Sequence, residues 1–374
     1  MYNDRMGIGM RYLPYIFVFT QTLVLCVLCV PILIKLAFRF GVLDKPGHRK
    51  VHQRPKPLLG GMAIFSSFFW VVVIDLVLFF ALYQSTLFHS VFPQLVGKAA
   101  MVYETLFKLS VILTGGALVH ILGLGDDIFS EKLSYKFKFI IQFCIALGVA
   151  VFGIRTDFMP GQWLDIVITT VWIMGITNGF NLLDNLDGLT AGISLIAALI
   201  FFGVAILQGQ VFFAFMLAAL AGSSLGFLLF NFHPAKLFMG DSGSLFLGYI
   251  FAALTVMGSY VVPDSPTLIP VVMPLLILSL PLYDTFSVMF IRWREGRPLF
   301  EGDKRHFSHR LLALGMGHRG TVIFIYLVCF VVGISAILLP YVSVAGSILL
   351  LLQAVIVYTL ITILIAVAKN RDQD

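Results

Sequence analysis

Adjacent carboxylates repel, so Asp126 and Asp127 can both stay ionised near a membrane surface only beside a cation. Lys132, Lys136 and Lys138 follow closely. The pair reads either as a solvated helix end or as a metal or phosphate site. Downstream, Asn181, Asp184 and Asp187 recur every third residue in Asn181-Leu-Leu-Asp184-Asn185-Leu-Asp187-Gly188. At that spacing they share one face of a helix. Acids with no basic residue among them, at the end of an apolar run, are costly without partners. A fourth segment runs from Asn231 through Lys236, Phe238 and Gly240 to Asp241-Ser-Gly-Ser244. Asp241 lies between glycines where the next helix should begin, and the backbone N–H groups of Gly240, Ser242 and Gly243 would lie open to an anion there.

Two further segments are basic. Lys45 to Lys56 contains five Lys/Arg together with His48 and His52, and Pro57 and Gly60-Gly61 follow. It is either a topology determinant facing anionic lipid or an anion site closed by the glycine pair. Arg292 to Arg319 contains seven Lys/Arg, with His306, His309 and Arg310 together. Dense basic groups near an acidic cluster suit a diphosphate with a divalent metal, since Mg²⁺ takes one or two carboxylates and fills its shell with phosphate and water.

The elements that must position these groups are apolar. Of 374 residues, 59% are hydrophobic and 12% charged, and the mean hydropathy is +0.98. Soluble domains are about a quarter charged, so this chain is read as a membrane protein. About 20 apolar residues span a bilayer core as a helix. Candidate spans cover 13–37, 60–83, 105–124, 138–154, 163–180, 189–207, 210–230, 244–262, 267–291, 320–340 and 345–368. The expectation is an all-α polytopic membrane protein of about eleven transmembrane helices. The first run is too long for a signal-peptide core and lacks a small-residue cleavage site, so it is read as a span. The net charge of +6 sits in short loops, which favours membrane over nucleic acid as partner. Cys26, Cys29, Cys144 and Cys329 lie inside apolar runs, against a disulfide framework or a Cys/His metal site.

The loops fall into two alternating sets, and 20 of the 25 Lys/Arg belong to the set that holds the polar clusters. The positive-inside rule makes that set cytoplasmic, with the N-terminus outside and the C-terminus inside. The whole chain is read as one integral membrane domain. Its site is expected in cytoplasmic loops 39–61, 125–138, 178–188, 231–244 and 292–319. Polar groups at one surface fit an enzyme acting on a lipid headgroup. A transporter or flippase would keep them near the midplane.

These motifs, in this order, resemble the polyprenyl-phosphate N-acetylhexosamine-1-phosphate transferase superfamily, within glycosyltransferase family 4. The match runs from Arg49-Lys50-x-His52 and Pro57-x-x-Gly60-Gly61 through Gly125-Asp126-Asp127 and Lys138-x-x-x-Gln142. It continues over Asn181–Gly188 and Asn231–Ser244 to Gly296-Arg297-Pro, Asp303, His306 and His309-Arg310. The branch it most resembles is undecaprenyl-phosphate N-acetylglucosaminyl-1-phosphate transferase. Members of that branch usually carry His-x-His-His in the fifth loop. Here Ser308 stands at the third position, which leaves the sugar open.

The resemblance implies a catalytic set of Asp126, Asp127, Asp184, Asp187 and Asp241. It implies substrate contacts from Lys50, His52, Lys138, Asn181, Asn231, Phe238, His306, His309 and Arg310, and metal ligation by Asp241 and Asp127. Asn181, Asp184, Asp187 and Phe238 would surround the nucleotide, and Asp126 and Asp127 the lipid phosphate. The cofactor implied is Mg²⁺, with Mn²⁺ as a substitute. The substrates would be a UDP-N-acetylhexosamine and undecaprenyl phosphate, at the cytoplasmic face of a bacterial inner membrane. A homodimer is left open. The rival within the superfamily is phospho-MurNAc-pentapeptide transfer.

Overall fold

The computed structural model describes residues 8–44, 55–92, 95, 97, 99–129, 133–297 and 305–371. Lys50 and His52, expected to contact substrate, lie outside the described residues, as does Asp303.

Helix α1 covers Ile8–Phe40, and a two-residue hairpin follows, with β1 at Leu43–Asp44 paired antiparallel to β2 at Lys56–Pro57. Then come α2 Gly60–Leu82, a short α3 Thr86–Val91, α4 Ala99–Phe129, α5 Tyr135–Val151 and α6 Gln162–Leu183. The rest is α7 Leu189–Leu207, α8 Val211–Asn231, α9 Gly240–Met257, α10 Met273–Ile277, α11 Ser279–Arg294, α12 Phe307–Ala313, α13 His318–Ser335 and α14 Val344–Arg371. The long helices follow from runs of Leu, Ile, Val and Phe uninterrupted by charge. In lipid every backbone polar group must be satisfied within the helix.

Among the described residues nine helices are long and apolar enough to cross a membrane, or ten if one bent pair counts as a single span. That is one or two fewer than the eleven expected. Helix α5 has only 17 residues, short of the usual ~20 for a bilayer core. The expected span 267–291 is broken: its two halves meet at 72° at Leu278. Pro281 carries no N–H for the Ile277 carbonyl four residues back, so a helix running through this point would lose that bond.

Helices α7, α8 and α9 form the buried centre. Helix α1 packs on α8, α8 on α7, and α4 and α6 on either side of α9. Phe180, Phe201, Phe227, Phe246 and Phe251 are fully buried there. Outward positions such as Leu28, Trp70, Ile121, Val171 and Leu364 are apolar and exposed, as expected of side chains facing lipid.

Two expectations about loops change. Helix α4 runs on to Phe129, so Asp126 and Asp127 stand in its last turn and not in a loop. Helix α6 ends at Leu183, so Asn181, Asp184 and Asp187 do not share one helical face. The Asp184 N–H turns back to the Asn181 carbonyl at 3.3 Å, and the chain reverses at Gly188, whose φ is +82°. The acids occupy a tight turn that presents them from one end of α6.

Candidate active site

Four helix ends meet at Asp241. Asp241 is in the first turn of α9, Asp126 and Asp127 in the last turn of α4, Lys138 in the first turn of α5, and Asn181 in the last turn of α6. The β2–α2 segment closes the group from the side. The Gly60 N–H donates to the Phe238 carbonyl at 3.0 Å, the Gly61 N–H to the Met239 carbonyl at 2.8 Å, and the Phe238 N–H to the Pro57 carbonyl at 2.8 Å.

Two glycines make this approach feasible. A Cβ on Gly61 would stand 2.2 Å from the Gly243 backbone nitrogen, so only glycine lets α2 reach the start of α9. Gly240 has φ +71°, and a Cβ there would meet the Asp127 carboxylate at 2.5 Å. The motif glycines therefore set how closely the acids can approach.

The polar network is continuous. Lys138 Nζ donates to Asp126 Oδ2 at 2.8 Å and to Asp241 Oδ2 at 3.1 Å. Asn181 Nδ2 donates to Asp241 Oδ1 and to Ser244 Oγ, both at 3.0 Å. Asp127 accepts the Asp241 N–H at 2.8 Å and the Ser242 N–H at 3.0 Å, one on each oxygen. This changes one expectation. Of the N–H groups expected to lie open to an anion, that of Ser242 does not, because Asp127 caps it together with that of Asp241. Asp127 also holds Asp241 in place through the Asp241 backbone N–H. Capping carboxylates at a helix N-terminus are favoured by its partial positive charge.

The donor set fits a hard divalent cation. Asp126, Asp127, Asp184 and Asp241 are all oxygen donors, and Lys138 is bonded to two of them, Asp126 and Asp241. Asp126 Oδ1 is buried and has no hydrogen-bond partner. An orphaned carboxylate oxygen facing this much like charge fits a cation site, and oxygen donors suit Mg²⁺.

Asp184 supports the same point. Burial raises its carboxyl from the ordinary 3.8 to about 7, and repulsion from Asp241, Asp127 and Asp187 adds to the rise. Part of the side chain still meets solvent, but the carboxyl is ringed by protein. For an acid raised in the fold, ionisation opposes folding. The contribution of this carboxyl to the stability of the metal-free protein is thus most favourable below about pH 4, becomes less so as pH rises towards 7, and is constant above. Asp184→Asn should lessen the fall in stability between about pH 4 and 7 and raise the melting temperature at pH 8. Melting curves across pH in chelator check this, and an unchanged slope would contradict it.

Other expected residues lie around this network. Asp187 Oδ2 accepts from His233 Nδ1 at 2.8 Å and from the Ala235 N–H at 3.0 Å. Asn231 is buried, and its amide is spent on backbone: Nδ2 donates to the Leu237 carbonyl and Oδ1 accepts the Gly188 N–H, both at 2.9 Å. It therefore joins the acidic turn to the Asp241 loop. Phe238 is half-buried beside the network.

The fifth segment also differs from expectation. His306 is 5% exposed, and its Nδ1 pairs with Asp284 Oδ2 at 2.8 Å; Asp284 also takes the Phe307 N–H at 2.6 Å. His306 thus anchors α12 to α11, which is a structural role before any substrate role. Arg310 Nη2 donates to Ser287 Oγ at 2.8 Å, and its Nε is buried without a partner. His309 is half-buried on α12. Ser308 donates to Asn185 Oδ1 and so ties α12 to the acidic turn. The residue that departs from the motif therefore joins the two halves of the site.

Asp284, about two turns from Arg292, is read from the sequence as able to line the inner site, but the Ser308 tie is not legible there, since a hydroxyl–amide pair 123 residues apart leaves no local signal. His120 is a packing residue with one polar tie. It stacks on Phe65 at 4.2 Å and adds a 3.0 Å bond from Nδ1 to the Ser242 carbonyl. Asp75 lies on the wall of a separate, apolar cavity of about 250 Å³ that shares no residue with the network.

The chain matches known proteins over most of its length. The model of glycosyl transferase family 4 matches residues 109–259. A probable undecaprenyl-phosphate N-acetylglucosaminyl 1-phosphate transferase of Bacillus subtilis is 36% identical over 338 residues, 88% of this chain and 86% of that protein. A decaprenyl-phosphate N-acetylglucosaminephosphotransferase of Mycobacterium tuberculosis is 31% identical over 363 residues, covering 90% of this chain and 85% of that protein. A phospho-N-acetylmuramoyl-pentapeptide-transferase of Chlamydia trachomatis is 38% identical over 199 residues, covering 46% of this chain and 58% of that protein.

Proposed function

This chain belongs to glycosyl transferase family 4, and on that premise we propose that it transfers N-acetylglucosamine-1-phosphate from UDP-N-acetylglucosamine to undecaprenyl phosphate, releasing UMP. The observation that carries the reading is the Asp126–Lys138–Asp241–Asn181 network, built from four helix ends and capped by Asp127. Relatives covering most of the chain bear N-acetylglucosamine names, whereas the pentapeptide transferase aligns over less than half. That favours N-acetylglucosamine over phospho-MurNAc-pentapeptide. The product would begin a cell-envelope polysaccharide, such as O-antigen, common antigen or a teichoic-acid linkage. The spans supply few polar groups for a flippase.

In the reaction an oxygen of the lipid phosphate attacks the β-phosphorus of the UDP-sugar, a new P–O bond forms, and the bond to the UMP oxygen breaks. A phosphate monoester has a second pKa of about 6, so the nucleophile is mostly deprotonated at neutral pH. Asp126 therefore serves chiefly to orient it or to take a residual proton on the free Oδ1. Lys138, already shared between two acids, is placed to exchange one of them for a phosphate oxygen. Asp241 would hold the divalent ion, with Asp184 and the remaining lone pairs of Asp127 nearby. When bound, Mg²⁺ supplies charge neutralisation on the diphosphate. His309 and Arg310 would face the diphosphate from α12.

Purified protein given undecaprenyl phosphate, Mg²⁺ and a panel of UDP-sugars tests the assignment. UDP-N-acetylglucosamine should be used best, with UMP released in step with lipid product. Preferred use of UDP-MurNAc-pentapeptide would overturn the sugar assignment.

The reading also needs the acidic network in the cytoplasm of a bacterium, at its inner membrane. With eleven spans, N-out and C-in, a reporter active only in the cytoplasm should give signal when fused after Asp374. Silence there, with activity from a periplasmic reporter, would reverse the orientation.

A further inference from the structure

A second polar cluster lies beside the acidic turn, and its chemistry differs from that of the oxygen-lined network. Asp187, His233 and His318 each offer one ligand atom, and these atoms lie within 4.8 Å of one another. They come from three separate elements: the turn after α6, the loop between α8 and α9, and the first residue of α13. The two imidazoles stack, with ring centroids 4.3 Å apart and planes inclined by 17°. His318 Nε2 is buried and has no hydrogen-bond partner. A buried polar atom without a partner is costly, and its orphaning leaves a ring nitrogen available to a ligand.

The surroundings are already organised as metal sites are. Asp187 is oriented by the Ala235 N–H at 3.0 Å, as ligating carboxylates commonly are. Among the described residues, Arg319 and Lys56 border the cluster, and both donate to backbone carbonyls. Arg319 Nε donates to the His233 carbonyl at 3.0 Å, and Lys56 Nζ to the Ala235 carbonyl. His233 is 37% exposed at its side chain, which provides a path for an ion from solvent. At zinc–ligand bonds of about 2.0–2.2 Å, ligand atoms sit roughly 3.3–3.6 Å apart, so the cluster must contract by about 1 Å. The bond from His233 Nδ1 to Asp187 Oδ2, at 2.8 Å, holds that pair together until an ion is shared between them.

We propose that Asp187, His233 and His318 form a second metal site, for a nitrogen-preferring divalent ion such as Zn²⁺, separate from the oxygen-donor site at Asp241. Imidazole suits Zn²⁺ and other late transition ions, whereas Mg²⁺ prefers oxygen. The bound ion would staple the acidic turn, the Asp241 loop and α13 together. The proposal does not depend on the transfer reaction.

The test uses the full chain in detergent, with any affinity tag removed and adventitious metal stripped by chelator. Titration with Zn²⁺ should give one tight equivalent per chain, with an absorption-edge spectrum showing imidazole ligands and a raised melting temperature. His233→Ala and His318→Ala should each weaken Zn²⁺ binding at least tenfold, while Asp241→Asn leaves it unchanged. The proposal is overturned by the absence of saturable Zn²⁺ binding, by an oxygen-only shell, or by equal affinity in both histidine variants and the wild type. Should the variants fail to fold, the ligand shell of the wild-type protein decides alone.

Discussion

Asp241→Asn is expected to lower turnover by at least about a thousandfold while leaving the fold intact. The substitution preserves volume and the capping of the Asp241 N–H by Asp127, because that bond is made by backbone. It removes the negative charge at the oxygen that Lys138 contacts and the oxygen that Asn181 contacts. Losing a metal-ligand charge at a phosphoryl-transfer centre should cost about 4 kcal/mol of transition-state stabilisation, and each ~1.4 kcal/mol is tenfold in rate. The measurement is steady-state release of UMP over a range of Mg²⁺ concentrations, with melting curves as the control for folding. A well-folded variant with near-normal turnover and unchanged Mg²⁺ dependence would remove Asp241 from the metal site.

The second large effect is expected at Lys138. Lys138→Met keeps the apolar stem of the side chain and removes the ammonium between Asp126 and Asp241. Those acids then face each other without the cation, and Asp126 is only 8% exposed. Breaking a buried pair by removing one partner costs about 3–5 kcal/mol, but Lys138 is 23% exposed, so a smaller loss is expected here. Turnover should fall at least a hundredfold. Unlike the Asp241 variant, this one should also melt lower in chelator and recover part of the loss when Mg²⁺ is added, because a divalent ion can replace the missing charge. Equal melting temperatures with and without Mg²⁺ would mean that Lys138 does not balance the acids.

Much of this arrangement is legible in the sequence because charge is rare in it. In a chain with 12% charged residues, each acid at the end of an apolar run stands out. Asp126, Asp127, Lys138, Asn181, Asp184 and Asp241 therefore emerge from the sequence itself, and the fold brings them together. What the residues do for one another is less legible. Asp127 caps α9 from 114 positions away, and no local pattern announces a cap supplied by another helix. Asn231 and His306 belong to functional motifs, yet both spend polar atoms on holding segments in place. A motif residue that positions others has the same sequence signature as one that touches substrate.

The pattern of spans is legible for a similar reason. Apolar runs fix helix existence, but not where helices stop. The regular three-residue spacing of Asn181, Asp184 and Asp187 suggests a continuing helix, and the chain instead turns before Gly188. The break at Leu278 is foreshadowed by Pro274 and Pro281, although hydropathy alone passes over it. His233 and His318 lie 85 residues apart in chain order, and only the packing of α13 against α7 and the α8–α9 loop brings them into contact.

The central claim is that the sugar leaves the nucleotide together with its phosphate. Supplying UDP-N-acetylglucosamine labelled at the β-phosphorus, with undecaprenyl phosphate and Mg²⁺, measures this directly. The account predicts that the label moves to the lipid fraction and that the released nucleotide is unlabelled UMP, in equal amounts. Label retained in released UDP would mean simple glycosyl transfer, and a lipid fraction that gains no label would contradict the account outright.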